Sequence, residues 1–257
     1  MAAVPRPDGG PDLPARRAQL ATSLDQVRGR ISRACTAAGR DPAGVTLIAV
    51  TKTYPAGDVL TLAGLGVTDV GENRDQEAAP KAASVAGVLG AAAPRWHYVG
   101  RLQRNKCRSV VGYADVVHSV DSLRLAAALD EASGRHREAP LDALVQVSID
   151  GDPSRGGAVD GRSAPVDAEV DLWRVTDAVA AADGLRLAGL MAVAPLDWEP
   201  ERAFDILARL SARLIVDHPT ATAVSAGMSG DLEAAIRYGA THVRIGSALL
   251  GMRNTLR

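Results

Sequence analysis

Apolar residues recur at helical spacing from Ala15 to Ala38, with Leu20, Leu24, Val27, Ile31 and Ala34 sharing a face, and Gly39 follows as a stop. The pattern then changes period. Short runs rich in aliphatic residues at 45–51, 67–70, 96–99, 115–120, 143–149, 186–193, 221–225 and 242–245 each read as a strand. Segments able to form helices lie between them: Asp58–Leu65, Arg74–Leu89, Arg104–Gly112, Ser122–Arg135, Asp167–Ala182, Pro200–Asp217 and Asp231–Tyr238. Several open on aspartate or serine, as helix starts do. Repeated β-then-α order predicts parallel strands joined by helical crossovers. Eight such units in about 215 residues fit a (β/α)8 TIM-type barrel with an extra N-terminal helix, although a doubly wound open sheet satisfies the same alternation.

The proline- and glycine-rich segment 1–14 is expected to be a disordered tail, leaving 15–257 as one barrel domain. Linker composition occurs within the body only from Asp150 to Gly157, continuing polar to about Pro165. After a fifth strand this reads as a long loop on the face where barrel active sites lie.

Composition narrows the function classes. A formal net charge of -1 over 257 residues gives no broad electrostatic case for nucleic acid or an anionic membrane. Cys35 and Cys107 lie far apart and form no metal-ligand spacing with the five histidines, so neither a disulfide framework nor a metal site is expected. No apolar stretch reaches the length of a membrane span, and the first residues lack an apolar signal core. A cytoplasmic protein is expected.

The most informative residue is Lys52, which closes the apolar run from Val45 to Thr51 and is one of three lysines among 29 basic residues. Unlike arginine, lysine can lose its proton and attack a carbonyl. The plainer alternative is a strand-end lysine reaching solvent. In a barrel the residues just after each strand converge. Here they include Lys52, Gly71-Glu72-Asn73, His97 near Gly100, Met191, Ser225-Ala226-Gly227-Met228-Ser229 and Arg244-Ile245-Gly246-Ser247.

Barrel enzymes frequently bind phosphate with the loops after strands seven and eight. Ser225, Ser229 and Ser247 add hydroxyls there, and glycine permits close backbone approach, although any one serine also suits a turn or cap, as Ser229 does ahead of Asp231–Tyr238. A phosphate site facing a lysine suggests a phosphorylated carbonyl compound, either a sugar phosphate or pyridoxal 5'-phosphate (PLP). Arg244 suits a carboxylate, a phosphate or the pyridine nitrogen of PLP. At that nitrogen it would donate and leave the ring uncharged, weakening the electron sink.

Taken in order, Val50-Thr51-Lys52-Thr53, Gly71-Glu72-Asn73 with Gln76-Glu77, Trp96-His97-Tyr98-Val99-Gly100, Leu102-Gln103, Asn105-Lys106, Gly189-Leu190-Met191-Ala192, Ser225 to Asp231 and Val243-Arg244-Ile245-Gly246 closely resemble the PLP homeostasis protein family. This family, also called YggS-like, is similar in fold to the N-terminal barrel of alanine racemase. The resemblance covers about residues 16 to 253. It implies that Lys52 forms the internal aldimine (a Schiff base) with PLP. Ser229, Gly246 and Ser247, with Ser225, would contact the phosphate, and Arg244 would face the pyridine nitrogen. Asn73, Met228, Met191 and His97 would line the pocket. The methionines also suit packing and His97 a structural hydrogen bond. Glu72 reads as a base or, more safely, as a partner to a nearby donor.

Val70, Ser247, the Ser154-Arg155-Gly156-Gly157 stretch and Leu250-Gly251 depart from the family's usual aromatic, threonine, lysine-bearing loop and Phe-Gly. Ser247 keeps the hydroxyl; the altered loop leaves rim contacts open. The resemblance implies a PLP carrier that supports intracellular PLP (vitamin B6) homeostasis without strong turnover, with apo-PLP enzymes as recipients. The alternatives are a PLP-dependent amino-acid racemase and a PLP-independent, aldolase-like sugar-phosphate enzyme. Since the sequence stops just after the eighth unit, a racemase's β-rich second domain and its second base are not expected, and a monomer is.

Overall fold

The computed structural model describes residues 13–152, 156–161 and 166–251. Eight strands form a closed parallel barrel in sequence order: β1 (Thr46–Val50), β2 (Asp69–Glu72), β3 (Arg95–Tyr98), β4 (Val116–Val120), β5 (Leu141–Val147), β6 (Leu185–Ala192), β7 (Ala223–Ser225) and β8 (His242–Ile245). Closure is made by β8 pairing with β1, Thr46 opposite His242 and Ala49 opposite Ile245. That pairing excludes the open sheet.

Each expected strand is present, with shifted ends. The second runs on through Gly71 and Glu72, because Gly71 pairs with both Val50 and His97. A side chain there would press on Ile48 Cγ2 at 3.0 Å, so glycine keeps β1 and β2 in register at the mouth. The crossovers are α2 (Ala56–Ala63), α3 (Asp75–Leu89), α4 (Cys107–Val110), α5 (Leu123–His136), α6 (Leu172–Ala181), α7 (Pro200–Asp217) and α8 (Leu232–Arg237), with a last turn α9 (Ser247–Leu250). The sixth helix begins later than the Asp167 expected, since the Asp171 carboxylate accepts from the N–H groups of Trp173 and Arg174 and caps it there. The third crossover, from β3 to β4, holds only a 3-10 turn (Arg104–Lys106) and the single turn of α4.

Helix α1 (Leu13–Ala37) takes in the last two residues of the tail expected at 1–14; the remainder of that tail, 1–12, lies outside the described residues. Its buried face of Leu20, Leu24, Val27, Ile31 and Cys35 packs with Ala49, Val59, Val70, Val243, Ile245 and Ile236. It therefore covers the outside of the β8–β1 seam. Arg16 bonds Asp58 of α2 (2.7 Å) and Arg30 grips Glu233 of α8 with two nitrogens (2.7 and 2.8 Å). In the long loop after β5, Ala158 bridges to Val147 and Val159 to Asp171, while 153–155 and 162–165 lie outside the described residues.

Strand alternation sorts the side chains. Leu47, Ala49, Val70, Trp96, Val243 and Ile245 face the helices. Ile48, Asp69, His97, Leu144, Met191, Ser225 and Arg244 face the lumen, where Val116, Leu144 and Met191 form a small apolar layer. If α1 belongs to the same cooperative core, Leu24→Ala will lower unfolding free energy by about 3 kcal/mol in guanidinium titration; a loss below about 1 kcal/mol would show a helix that merely rests on the barrel.

Candidate functional site

Lys52 lies in the turn that follows β1, two residues beyond Val50, at the C-terminal mouth of the barrel. The residue is exposed, and its ammonium has no hydrogen-bond or ion-pair partner among the described residues. The other two lysines are engaged: Lys81 with Glu72 at 2.5 Å, Lys106 with Asp75 at 3.7 Å.

Below the mouth, five side chains form one hydrogen-bonded chain across the lumen. Arg244, 5% exposed, donates to Ser225 Oγ (2.7 Å) and to the carbonyl of Ala192 (3.0 Å). Ser225 Oγ lies 2.9 Å from His118 Nδ1, His118 Nε2 lies 2.8 Å from His97 Nδ1, and His97 Nε2 lies 2.8 Å from Asp69 Oδ1. Because the ionised Asp69 carboxylate can only accept and each neutral ring carries a single N–H, the order of donors follows from that end of the chain. Ser225 donates to His118, His118 to His97, and His97 to the carboxylate, with one neutral tautomer for each ring.

The electrostatics agree with that order. Burial, reinforced by the nearby Arg244 charge, holds His118 well below the usual imidazole range. Burial likewise lowers His242 to about 4 and Arg244 to about 10, so the guanidinium stays charged at neutral pH. Burial alone would raise Asp69, but hydrogen bonds from His97 and Thr68 outweigh it and hold the carboxyl below its ordinary value.

The loops after β7 and β8 meet at the mouth. Gly227 has φ +90°, and a Cβ there would sit 2.6 Å from Ala235 Cβ, so only glycine lets this loop lie against α8. Met228, 37% exposed, sends its N–H to Asp231 Oδ1 (2.5 Å). Ser229 Oγ accepts from the N–H of Ala248 (3.2 Å), and Arg30 of α1 holds the Ser229 carbonyl (2.9 Å). Ser229 thus joins Gly246 and Ser247 across the two loops rather than capping α8. On the opposite side Asn73 is half-buried beneath Gly100, where any Cβ would strike the Asn73 carbonyl oxygen at 2.2 Å. Asn73 also lines a cleft of about 800 Å³ carrying Arg74, Arg101, Arg104, Lys106 and Arg124.

Of the expected site residues, Lys52, Asn73, Met228, Ser229, Gly246 and Ser247 lie at the mouth, and Arg244 lies in the lumen. Three others lie deeper in the barrel. Ser225, grouped with the phosphate serines, is fully buried, and its hydroxyl is taken by His118 and Arg244. His97 is 1% exposed with both ring nitrogens engaged, and Met191 packs on Val116 and Leu144. Asp69 and His118 had no place in the sequence reading; the available signal was a polar residue at a lumen-facing position of a strand. Among the described residues no group of three His, Cys, Asp or Glu side chains is arranged to hold a metal ion.

An unpartnered primary amine, hydroxyls and glycine-opened backbone at two neighbouring loops, and a buried donor-only cation make a donor set that fits PLP. A model of the alanine racemase N-terminal domain family matches residues 22–254, and the barrel is of that class. The Mycobacterium leprae pyridoxal phosphate homeostasis protein is 44% identical over 92% of this chain and 93% of its own length. Its Escherichia coli K12 namesake is 38% identical over 91% and 97%. The chain belongs to the pyridoxal phosphate homeostasis protein family. Among solved structures, PipY of Synechococcus elongatus with PLP bound is 31% identical, with a TM-score of 0.74, covering 91% of this chain and 100% of that one. Alanine racemase from Streptomyces coelicolor, at 17% identity and TM-score 0.66 over 59% of its chain, shares the fold alone.

Protonation of the buried imidazoles sets a pH dependence. Between about 6.5 and 4 the unfolded chain binds a proton on His242 that the folded chain does not, and His118 acts in the same direction. Stability therefore falls as pH falls through that window. Guanidinium midpoints at pH 7 and pH 4.5 will differ less in His242→Asn than in the parent; an unchanged difference would show that His242 titrates normally in the fold.

Proposed function

We propose that this protein binds PLP in the barrel mouth through Lys52 and serves intracellular PLP homeostasis as a carrier. The observation that carries this reading is Lys52 itself. Of the three lysines it is the one without a partner among the described residues, and it stands in the turn at the C-terminal end of β1, where barrel active sites lie. When bound, PLP supplies an aldehyde that condenses reversibly with a primary amine.

The remaining roles follow from placement. Ser229 and Ser247 supply hydroxyls, and the backbone at Gly246 and Ser247 supplies N–H groups, for the phosphate. Arg244, pinned by Ser225 and Ala192, would donate to the pyridine nitrogen, while Asn73 and Met228 would flank the ring. A donor-only group at that nitrogen does not supply the proton that makes the ring a strong electron sink, which suits storage better than substrate carbanion chemistry. An exposed attachment point also suits handover to apo-PLP enzymes. The carrier reading draws further support from relatives at 37–44% identity that are named PLP homeostasis proteins, whereas likeness to racemases is one of fold. This reading envisages a cytoplasmic, monomeric protein; no helix among the described residues is long and apolar enough to cross a membrane.

The purified protein will develop a visible absorbance band on adding PLP, and borohydride will fix the label on Lys52. Lys52→Ala will show neither. Label on another residue, or none, would overturn the reading and leave sugar phosphates as the next ligands to test. Ser229→Ala will weaken PLP binding about tenfold, the effect of one hydrogen bond to a charged group, measured by titrating that band. Rapid deuterium wash-in at the α-carbon of alanine, lost in Lys52→Ala, would show a racemase instead of a carrier.

A further inference from the structure

Lysine is rare in this chain, and all three lysines lie in one sector: Lys52 after β1, Lys81 on α3, and Lys106 against Asp75 at the start of α3. Lys81 is the unusual one. Its side chain is 7% exposed and pairs with a Glu72 side chain that is 1% exposed. A buried ion pair gains little stability, because desolvating both charges offsets their attraction, and apolar replacements often stabilise. This pair is also incompletely satisfied, since Glu72 Oε2 is buried without a partner among the described residues.

What the pair holds is the turn that carries Lys52. Lys81 Nζ donates to the Thr51 carbonyl at 2.9 Å, which belongs to the peptide group just before Lys52. Thr51 Oγ1 donates to the same Glu72 Oε1 at 2.7 Å, and the Thr51 N–H is held by the Gly71 carbonyl at 2.9 Å. On the other side, the N–H of Thr53, which belongs to the peptide group just after Lys52, donates to Glu77 Oε2 at 3.1 Å. Thr53 itself sits at φ +68°, a left-handed conformation that a β-branched residue adopts only under constraint. Glu77 and Lys81 are four apart on α3 and so lie on one face. Two side chains of opposite charge on one helix thus grip the two peptide groups that flank Lys52.

We propose that Lys81, with Glu72 and Glu77, is a positioning residue that fixes the Lys52 backbone and presents its amine to the lumen in one orientation. The inference rests on the reading of Lys52 as the PLP-bearing lysine. Lys81 does not touch the ligand; it acts through the Thr51 carbonyl. Lys81→Met keeps the length and apolar stem of the side chain and removes the donor.

The test is the rate, at saturating PLP, at which borohydride-fixed label accumulates on Lys52 of the full-length protein. Lys81→Met will slow it roughly 10- to 100-fold, the scale of a misplacement of about 1 Å. Val179→Ala, in the core under α6, supplies a control for lost stability and will label at the parent rate. In Glu72→Gln/Lys81→Met no charge is buried, so folding is retained even if the single variant folds poorly, and slow labelling of this double variant supports the proposal. Parent-rate labelling in the double variant, or equal slowing in Val179→Ala, overturns it. Absence of label on Lys52 in the parent protein is a different failure, which removes the PLP reading and this inference with it.

Discussion

The Arg244 guanidinium cannot shed its charge at neutral pH, and with 5% exposure it cannot rely on water, so its neighbours must satisfy it. Ser225 and the Ala192 carbonyl do so directly, and the chain of donors continues through His118 and His97 to Asp69. A cation on β8 is thereby linked to an anion on β2 across the lumen. Lumen-facing positions on β2, β3, β4, β7 and β8 are committed to this polar chain. The apolar filling is correspondingly small, a layer of Val116, Leu144 and Met191.

This arrangement separates holding from presenting. The lumen network keeps Arg244 in place, while the groups at the mouth sit on loops whose backbone is shaped by glycine. Gly227 allows its loop to lie on α8, and Gly100 allows the β3 loop to cross Asn73. Helix α1 supports the same region from outside, sealing the β8–β1 seam and reaching the Ser229 carbonyl through Arg30. Lys52 and the serine loops therefore flank the seam that closes the barrel.

Family membership places this chain among PLP homeostasis proteins, and the structure suggests why such a barrel is suited to holding an aldehyde. Among the described residues one lysine amine is left unpartnered at the strand ends, and the turn carrying it is braced by α3. Arginine serves nearly everywhere else that a cation is needed, so the three lysines are not spread as interchangeable surface charge. Lys81 illustrates the point: its ammonium is spent inside the protein, on a carboxylate and a backbone carbonyl next to Lys52.

The eight β/α units, the N-terminal helix and the role of Lys52 as a candidate amine were legible in the chain because they depend on local periodicity and on the contrast between lysine and arginine. Ser229, Gly246 and Ser247 were legible as a group because strand order brings the last two loops together in any such barrel. Ser225 belongs to the same pair of loops but faces inward, with partners 19 and 107 residues away in sequence that local patterning does not reveal. His97 was seen, but its partners Asp69 and His118 were not, and the bracing of Lys52 by Lys81 and Glu77 was invisible in a helix that reads as ordinary. Period-two and helical patterns state which face a residue occupies within its own element. Which groups meet across the lumen, or between a helix and a strand end, is decided only when β8 closes on β1 and sets the registers of all eight strands.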